Sequence, residues 1–335
     1  MRFSRRDSRS KAVAGFWQWW SGVHGRVESA IATGQWGGLT DEVTARVSVI
    51  HPDLQWEFAP GKGARHALIV TAGGDPRLRA LAARWYASAP PADDVWEYHP
   101  ARQPDPTILT SLLEMADQLI RLQDTQFASL LDADRCQLDV VCYHPVFAQV
   151  PEQIQEQITF LALDWLLGEQ AAELWIGGVA WQQVRPDDVE APEALAERVA
   201  ELAARYAQPV WVLLTARDGD DYPVIATIQQ PLKPARWPRF DTHVAITLPY
   251  EPDRVGLPGD RALQKLRNFE DQLIASLGED GALVAHESTR GRRILHVYAD
   301  SESVVLQSVA AWAGREATVR QSHDPSFENV SHLRP

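Results

Sequence analysis

The sequence predicts an α+β fold: two related α-β-β-α-β units, the second of them ferredoxin-like, with an additional antiparallel sheet segment in the middle. Three observations lead to this prediction. Apolar residues recur at helical spacing in some stretches and alternate in others. The same order of helices and strands occurs near both ends of the chain, and a length of 335 residues suits about two domains.

The first predicted helix carries an aromatic stripe. Apolar side chains recur at intervals of three and four from residue 13 to residue 31, which predicts one buried helix face. Trp19 lies off this stripe and allows two interpretations, a position at the rim of the core or an anchor for a partner protein. Residues 1–11 hold five basic side chains and one acidic side chain and are predicted to be a flexible basic tail.

The first α-β-β-α-β unit follows this helix. A helical pattern over residues 39–50 precedes two strands at 54–58 and 65–71, which a glycine-containing turn joins into a hairpin. Asp75 and Pro76 then predict the start of a helix, since the carboxylate can cap free N–H groups and proline suits the first turn. A third strand at 95–98 completes the unit, and the order favours a split βαβ layer.

The second unit repeats this order near the C-terminus. A strand at 242–250 precedes it, so the whole segment reads β-α-β-β-α-β, the ferredoxin-like order. A helix is predicted at 260–277 and a hairpin of two strands at 282–289 and 292–299. A second helix at 301–313 and a strand at 316–321 complete the unit.

Short matches support a duplication. The stretch Arg65-His-Ala-Leu-Ile-Val-Thr-Ala72 resembles Arg292-Arg-Ile-Leu-His-Val-Tyr-Ala299, and the following helices end in Ala-Arg-Trp85 and Ala-Ala-Trp312. We therefore predict that one module occurs twice.

The middle of the chain predicts further strands and a domain boundary. Strands are expected at 119–122, 127–131 and 136–143, a helix from Pro151 to Gly168, and a strand at 174–182. Proline and aspartate are concentrated in residues 185–192. The predicted organisation is therefore the tail at 1–11, an N-terminal α+β domain at 12–184, a linker at 185–192 and a C-terminal ferredoxin-like domain at 193–335.

Composition restricts the partners. A net charge of −13 would repel a phosphate backbone, so no nucleic acid is expected, and no apolar stretch approaches the length of a membrane span. Cys136 and Cys142 lie too far apart along one predicted strand to form a disulfide, which favours a reducing, cytoplasmic setting. No cofactor is predicted, another protein is the expected partner, and the oligomeric state is left open.

One predicted hairpin holds the candidate acid–base residues His286, Glu287, His296 and Tyr298. His296 and Tyr298 share a face, and either His286 or Glu287 joins them, depending on the strand register. Two interpretations stand: cross-strand pairing, or general acid–base catalysis in a pocket. The motifs G-x-S-x-G, H-E-x-x-H and C-x-x-C are absent from the sequence, so no residue is assigned as catalytic.

Neither a phosphate site nor a metal site is predicted. Gly73-Gly74 precedes a helix, but Asp75 and Pro76 would oppose an anion there. His51, His99 and His144 each precede a proline without a second ligand at helical or strand spacing. At the C-terminus, residues 324–333 are predicted to fold back as a structural clasp.

The whole chain resembles a family of uncharacterised bacterial proteins that carry domain of unknown function 695. The matching motifs are Phe16-Trp-Gln-Trp-Trp20, Ile50-His-Pro52, Trp165-Leu-Leu-Gly-Glu169, Gly256-Leu-Pro258 followed by Asn268-Phe-Glu-Asp271, and Asp324-Pro-Ser-Phe327. This chain departs from the pattern at Phe327, where the family favours tryptophan. The C-terminal part is also similar in element order to the B-type protein regulators of ribonuclease E, a resemblance that implies a binding role without chemistry.

These observations favour a non-catalytic, cytoplasmic protein that binds or regulates another protein. One alternative is a hydrolase that uses His286, Glu287 or His296. A second alternative is a small-molecule sensor.

Overall fold

The computed structural model describes the backbone of residues 2–116, 118–314 and 316–334 and the side chains from residue 9 onward within these ranges, except those of residues 310 and 312. It confirms the α+β class. Contacts divide the chain into one unit that ends at Arg102 and a second that begins at Gln103. In the described part, no helix is both long and apolar enough to cross a membrane.

The first unit contains three helices and one small sheet. Its elements are α1 (Arg2–Thr33), α2 (Leu39–Ile50), β1 (Gln55–Pro60), β2 (His66–Thr71), α3 (Pro76–Ala87) and β3 (Trp96–His99). Residues 2–11, predicted to be a flexible tail, belong to α1, because arginine, lysine and serine continue the helix without a proline.

The sheet of this unit has the order β1-β2-β3. β1 is antiparallel to β2, as the predicted hairpin requires, and β2 is parallel to β3. The prediction of a split βαβ layer is wrong here, because β2 and β3 are direct neighbours.

Aromatic side chains form the core of the first unit. The predicted stripe of α1 is buried and includes Phe16, Trp17 and Trp20. The Trp17 ring stacks on Trp85 of α3 with ring centroids 4.7 Å apart, and its indole N–H donates to the Trp85 carbonyl at 2.9 Å. The indole N–H of Trp20 donates to the hydroxyl of Tyr98 at 3.0 Å. These contacts pack α1 and α3 on the sheet.

The second unit has eleven strands and five α-helices among its described residues. They are β4 (Leu112–Met115), β5 (Gln118–Arg121), β6 (Gln126–Asp132), β7 (Gln137–Tyr143), α4 (Glu152–Leu167), α5 (Glu169–Trp175), β8 (Ile176–Gln182), α6 (Pro192–Arg205), β9 (Val210–Arg217), β10 (Pro223–Gln230), β11 (Thr242–Pro249), α7 (Asp260–Leu277), β12 (Gly281–Thr289), β13 (Arg292–Ala299), α8 (Val305–Ala313) and β14 (Thr318–His323).

The middle segment forms a hairpin, β4-β5, and a three-stranded sheet, β6-β7-β8. The predicted antiparallel pairing holds for β6 and β7, whereas β8 returns parallel to β7 after α4 and α5. The two cysteines are buried and unpaired.

The predicted linker at 185–192 lies inside the second unit. Glu190 pairs with Phe127 through two backbone hydrogen bonds of 3.0 Å. Beyond it, the apolar stripe of α6, with Leu195, Val199 and Leu202, is buried in the core formed around β6-β7-β8. Residues on both sides of the predicted linker therefore share one core, and contacts divide the chain at 102/103.

The C-terminal sheet has six strands in the order β14-β11-β13-β12-β10-β9, and each neighbouring pair is antiparallel. The elements from β11 to β14 follow the predicted β-α-β-β-α-β order. β11 lies between β13 and β14, so the β13-α8-β14 unit is a split βαβ unit. α7 and α8 cover one face, over an aliphatic core that includes Val244, Leu273 and Val297.

Candidate functional site

The register of β12 and β13 separates the candidate residues. Ala285 lies opposite His296, and His286 lies opposite Leu295. Since successive side chains of a strand point to opposite faces, Glu287 shares a face with His296 and Tyr298, whereas His286 lies on the face covered by α7. His286 and His296 therefore do not belong to one site.

A chain of polar contacts runs along the face that bears His296. Nδ1 of His296 lies 3.0 Å from Nε2 of His243 on β11, and Nε2 of His296 lies 3.3 Å from Oε1 of Glu287. The second oxygen of Glu287 lies 3.5 Å from Nε2 of His332. We refer to His243, Glu287, His296 and His332 as the His/Glu cluster.

The C-terminal segment covers this cluster. Phe327, which adopts a left-handed backbone conformation with φ of 58°, stacks on Tyr298 with ring centroids 3.5 Å apart. Asp324 accepts hydrogen bonds from the Tyr298 hydroxyl at 2.5 Å and from the Glu328 N–H at 2.8 Å. Phe327 and Leu333 are buried, which confirms the predicted clasp. His332 lies in a 3₁₀ helix, Glu328–Leu333, at the end of the clasp.

The electrostatics of the cluster follow from burial and proximity. Burial, reinforced by the neighbouring His296, lowers the pKa of His243 to about 4, so this imidazole is neutral near pH 7. The hydrogen bond with His296 lowers the pKa of Glu287 below its ordinary value despite burial. Burial, and next the contact with Asp324, raises the pKa of Tyr298, which therefore stays a neutral hydrogen-bond donor.

A second polar cluster lies on the opposite face, beneath α7. Arg293 donates to Oε1 of Glu270 at 2.7 Å and to the Ser288 hydroxyl at 2.8 Å. Nδ1 of His286 lies 3.1 Å from the same Glu270 oxygen but outside hydrogen-bonding geometry. Burial alone would raise the pKa of Glu270, but His286 and Arg293 lower it below its ordinary value. This arrangement is a buried ion pair that joins α7 to the sheet.

The remaining sequence candidates have local partners. Trp19 is half-buried at the rim of the aromatic core, with the Arg46 guanidinium 5.6 Å from its ring centroid. Asp75 caps α3 by accepting from the Arg77 N–H at 2.9 Å. Neither residue forms part of a larger polar site among the described residues.

The three histidines that precede prolines each have a local partner. His51 contacts Asp53, His99 contacts Glu97, and His144 lies 3.0 Å from the Arg121 carbonyl oxygen.

Sequence reasoning missed two members of the cluster. His243 lies 53 residues from His296, and only the pairing of β11 with β13 brings them together. The alternation of residues 242–250 could have placed His243 on the polar face of its strand. His332 carries no local signal, because its position depends on the packing of the clasp.

Most of the His/Glu cluster is covered, whereas the His332 side chain is 53% exposed. The His296 side chain is only 5% exposed. A cavity of about 900 Å³ lies elsewhere, at the N-terminal end of α7, and is lined by residues that include Tyr250, Arg261 and Phe269. No member of the His/Glu cluster lines it.

Together, the fold and the cluster describe an α+β protein with a covered group of imidazoles and one carboxylate on an antiparallel sheet. Comparison with protein-family models, with curated proteins and with solved structures gives no match.

Proposed function

We propose that this chain is a non-catalytic, cytoplasmic protein that binds another protein through the free edge of its C-terminal sheet. The observation that supports this proposal is the apolar, exposed edge strand β9. Trp211 is 41% exposed and Leu213 is 64% exposed.

The two edges of this sheet differ in chemistry. β14 has the sequence Thr-Val-Arg-Gln-Ser-His, so Arg320 and His323 protect that edge with polar side chains. β9 begins Val-Trp-Val-Leu-Leu and has no charged residue before Arg217. An unprotected apolar edge strand usually aggregates or pairs with a strand of another chain. Its retention in a native protein is expected where the edge serves to bind a strand of a partner.

The exposed Trp211 and Leu213 of β9 belong to one face. Val212 and Leu214 pack against the core beneath the clasp, whereas Trp211 lies beside His286 on the face of α7, with ring centroids 6.4 Å apart. Alternation places Leu213 on the same face as Trp211.

We infer that the occupant is an extended segment of a partner protein that adds to β9 as a further strand. Backbone hydrogen bonds along β9 would supply affinity, and an apolar side chain between Trp211 and Leu213 would supply specificity. We expect the residues that flank the partner segment to be neutral or basic, because this chain has a net charge of −13. The resemblance to the B-type regulators of ribonuclease E is consistent with such a role and remains a prediction.

The hydrolase alternative is less favoured by the geometry. His286 lies on the opposite face from Glu287 and His296, and the latter two are covered by the clasp. The sensor alternative has one supporting observation, the cavity of about 900 Å³ beside α7. Concentration-dependent thermal stabilisation in a ligand screen, lost on replacing Phe269 by a charged residue, would support it.

The edge-strand proposal can be tested with two matched leucines. Leu213 on β9 and Leu130 on β6 are both exposed, by 64% and 74%. A displayed library of random peptides, selected on the folded chain, should yield sequences with alternating apolar residues. These peptides should bind Leu130→Lys as they bind the wild type, and bind Leu213→Lys at least about tenfold more weakly, because lysine blocks strand addition.

Two results would contradict the proposal. One is equal affinity of the selected peptides for the two lysine variants. The other is failure to recover a stoichiometric partner from a native lysate at low or moderate salt.

A further inference from the structure

Three side chains of the His/Glu cluster bring possible metal-donor atoms close together. The donors are the carboxylate of Glu287 and the Nε2 atoms of His296 and His332, and they all lie within 4.8 Å of one another. Nε2 of His296 is 3.3 Å from Oε1 of Glu287, and Nε2 of His332 is 3.5 Å from Oε2. Donors bound at about 2.0–2.2 Å to a tetrahedral ion stand roughly 3.3–3.6 Å apart, and each histidine nitrogen lies at about this distance from one oxygen of Glu287.

We propose that Glu287, His296 and His332 form a binding site for a divalent transition-metal ion of the Zn²⁺ class. Two imidazoles and one carboxylate are nitrogen and oxygen donors that such ions accept. Mg²⁺ and Ca²⁺ prefer oxygen donors only, so they are expected to bind poorly. A water molecule would complete a tetrahedral shell.

The surroundings of His296 orient it as a ligand. Its Nδ1 lies 3.0 Å from Nε2 of buried His243. Without a metal ion, Nε2–H of His296 can donate to Glu287. Metal binding would displace this proton, and Nδ1–H would then donate to His243 while the Nε2 lone pair binds the ion. A hydrogen bond from the second ring nitrogen is the usual support for a metal-binding histidine.

The exposed side chain of His332 gives an ion access to the site and can change its position. Its side chain is 53% exposed, whereas those of Glu287 and His296 are 17% and 5% exposed. An ion can therefore approach from the His332 side, and that ring can move by the small amount needed to close the shell. Two ligands would be fixed on the sheet and one would be adjustable.

The site would fasten the clasp to the sheet. Glu287 and His296 belong to β12 and β13, whereas His332 belongs to the C-terminal 3₁₀ helix. A shared ion adds a direct connection between these two parts, beside the apolar packing of Phe327 and Leu333. Metal binding is therefore expected to stabilise the clasp against opening.

Calorimetric titration of the chelator-stripped chain with Zn²⁺ tests the proposal. The wild type should bind one ion in the cluster, and Mg²⁺ should not compete. His332→Ala should lower the Zn²⁺ affinity at least about tenfold. Loss of a residue that only supports a metal ligand already costs about this much, and His332 is a proposed ligand itself. His323→Ala is the matched control, because His323 is an exposed histidine nearby on β14 that lies outside the cluster.

Two further measurements make the result decisive. Co²⁺ substituted for Zn²⁺ should show visible absorption of a tetrahedral site in the wild type and in His323→Ala, and should lose it in Glu287→Gln. Circular dichroism should show that all variants are folded. Equal Zn²⁺ binding by His332→Ala and His323→Ala, or no binding by the folded wild type, would overturn the proposal.

Discussion

The two α-β-β-α-β segments of this chain, residues 39–99 and 260–323, have the same order of elements but pair their strands differently. In the first, β3 joins directly to β2 as a parallel neighbour. In the second, the corresponding strands β13 and β14 are not neighbours, because β11 lies between them. The element that precedes each segment accounts for the difference. A helix, α1, precedes the first and covers its sheet, whereas a strand, β11, precedes the second and enters it.

The difference extends to the cores and the sheet edges. The first sheet has three strands and an aromatic core, whereas the second is extended by β10 and β9 and has an aliphatic core under its helices. Of the described residues in these two sheets, the edge strand with exposed Trp211 and Leu213 and the His/Glu cluster both belong to the second sheet. The order of elements alone therefore does not determine where the proposed binding edge lies.

The duplication remains a prediction. The matching stretches 65–72 and 292–299 correspond to β2 and β13, and each of these strands has a neighbour on both sides. Trp85 is buried in the aromatic core. The side chain of Trp312, its predicted counterpart, lies outside the described residues.

The largest effect is expected from removing the aromatic core of the first segment. Trp85→Ala should lower the free energy of unfolding by about 3–5 kcal/mol, because a fully buried indole is lost and a cavity remains. The control is the neighbouring Tyr86→Ala, since Tyr86 is 47% exposed and its loss should cost less than about 0.5 kcal/mol. Urea unfolding followed by tryptophan fluorescence measures both, and similar costs would show that the aromatic core is not what stabilises this segment.

The second segment should be most sensitive at the ion pair beneath α7. Glu270→Gln should lower the free energy of unfolding by about 3 kcal/mol, because it leaves the buried guanidinium of Arg293 without a counter-charge. Replacing both residues together, as Glu270→Leu with Arg293→Met, should be close to neutral. Urea unfolding monitored by circular dichroism checks this. A double variant as unstable as the single one would contradict the interpretation.

A smaller, pH-dependent effect is expected at Glu97 in the first segment. Its carboxylate accepts from the N–H groups of Gly63 and Ala64 at 2.7 and 3.0 Å and contacts His99 at 2.9 Å. Burial alone would raise the pKa of Glu97, but hydrogen bonds with His99 and with these N–H groups lower it to about 2. The ionised group therefore stabilises the fold above its ordinary pKa of 4.5, and this stability is lost as the pH falls towards 2.

Glu97→Gln should cost about 2 kcal/mol near pH 7 and progressively less towards about pH 3. Urea unfolding at several pH values measures the difference from the wild type. Glu197→Gln, at an exposed position of α6, is the control and should show no such trend. A cost for Glu97→Gln that does not change with pH would show that packing, rather than charge, is responsible.

Local patterns predicted much of this fold, because they depend on residues close in sequence. The buried stripe of α1 follows from its spacing, and the hairpin of β1 and β2 follows from alternation and a glycine turn. The predicted linker at 185–192 depends on proline and aspartate, which indicate a local change in the backbone. The contact division at 102/103 depends on a core formed by distant residues, and α6 is buried in that core.

The candidate site was predicted only in part, for the same reason. Alternation correctly grouped His296 with Tyr298, and the structure adds Glu287 to them rather than His286. His243 and His332 could not be assigned from spacing, because their contacts with the site depend on strand pairing and on how the clasp packs.

The most direct test of the proposed binding edge is amide hydrogen exchange of the chain, with and without a peptide selected on it. Strand addition predicts that bound peptide slows exchange at alternate residues of β9, those whose N–H groups point away from β10, and leaves β14 unchanged. Unchanged exchange in β9, together with protection at another surface, would contradict the proposal that this edge is where the protein binds.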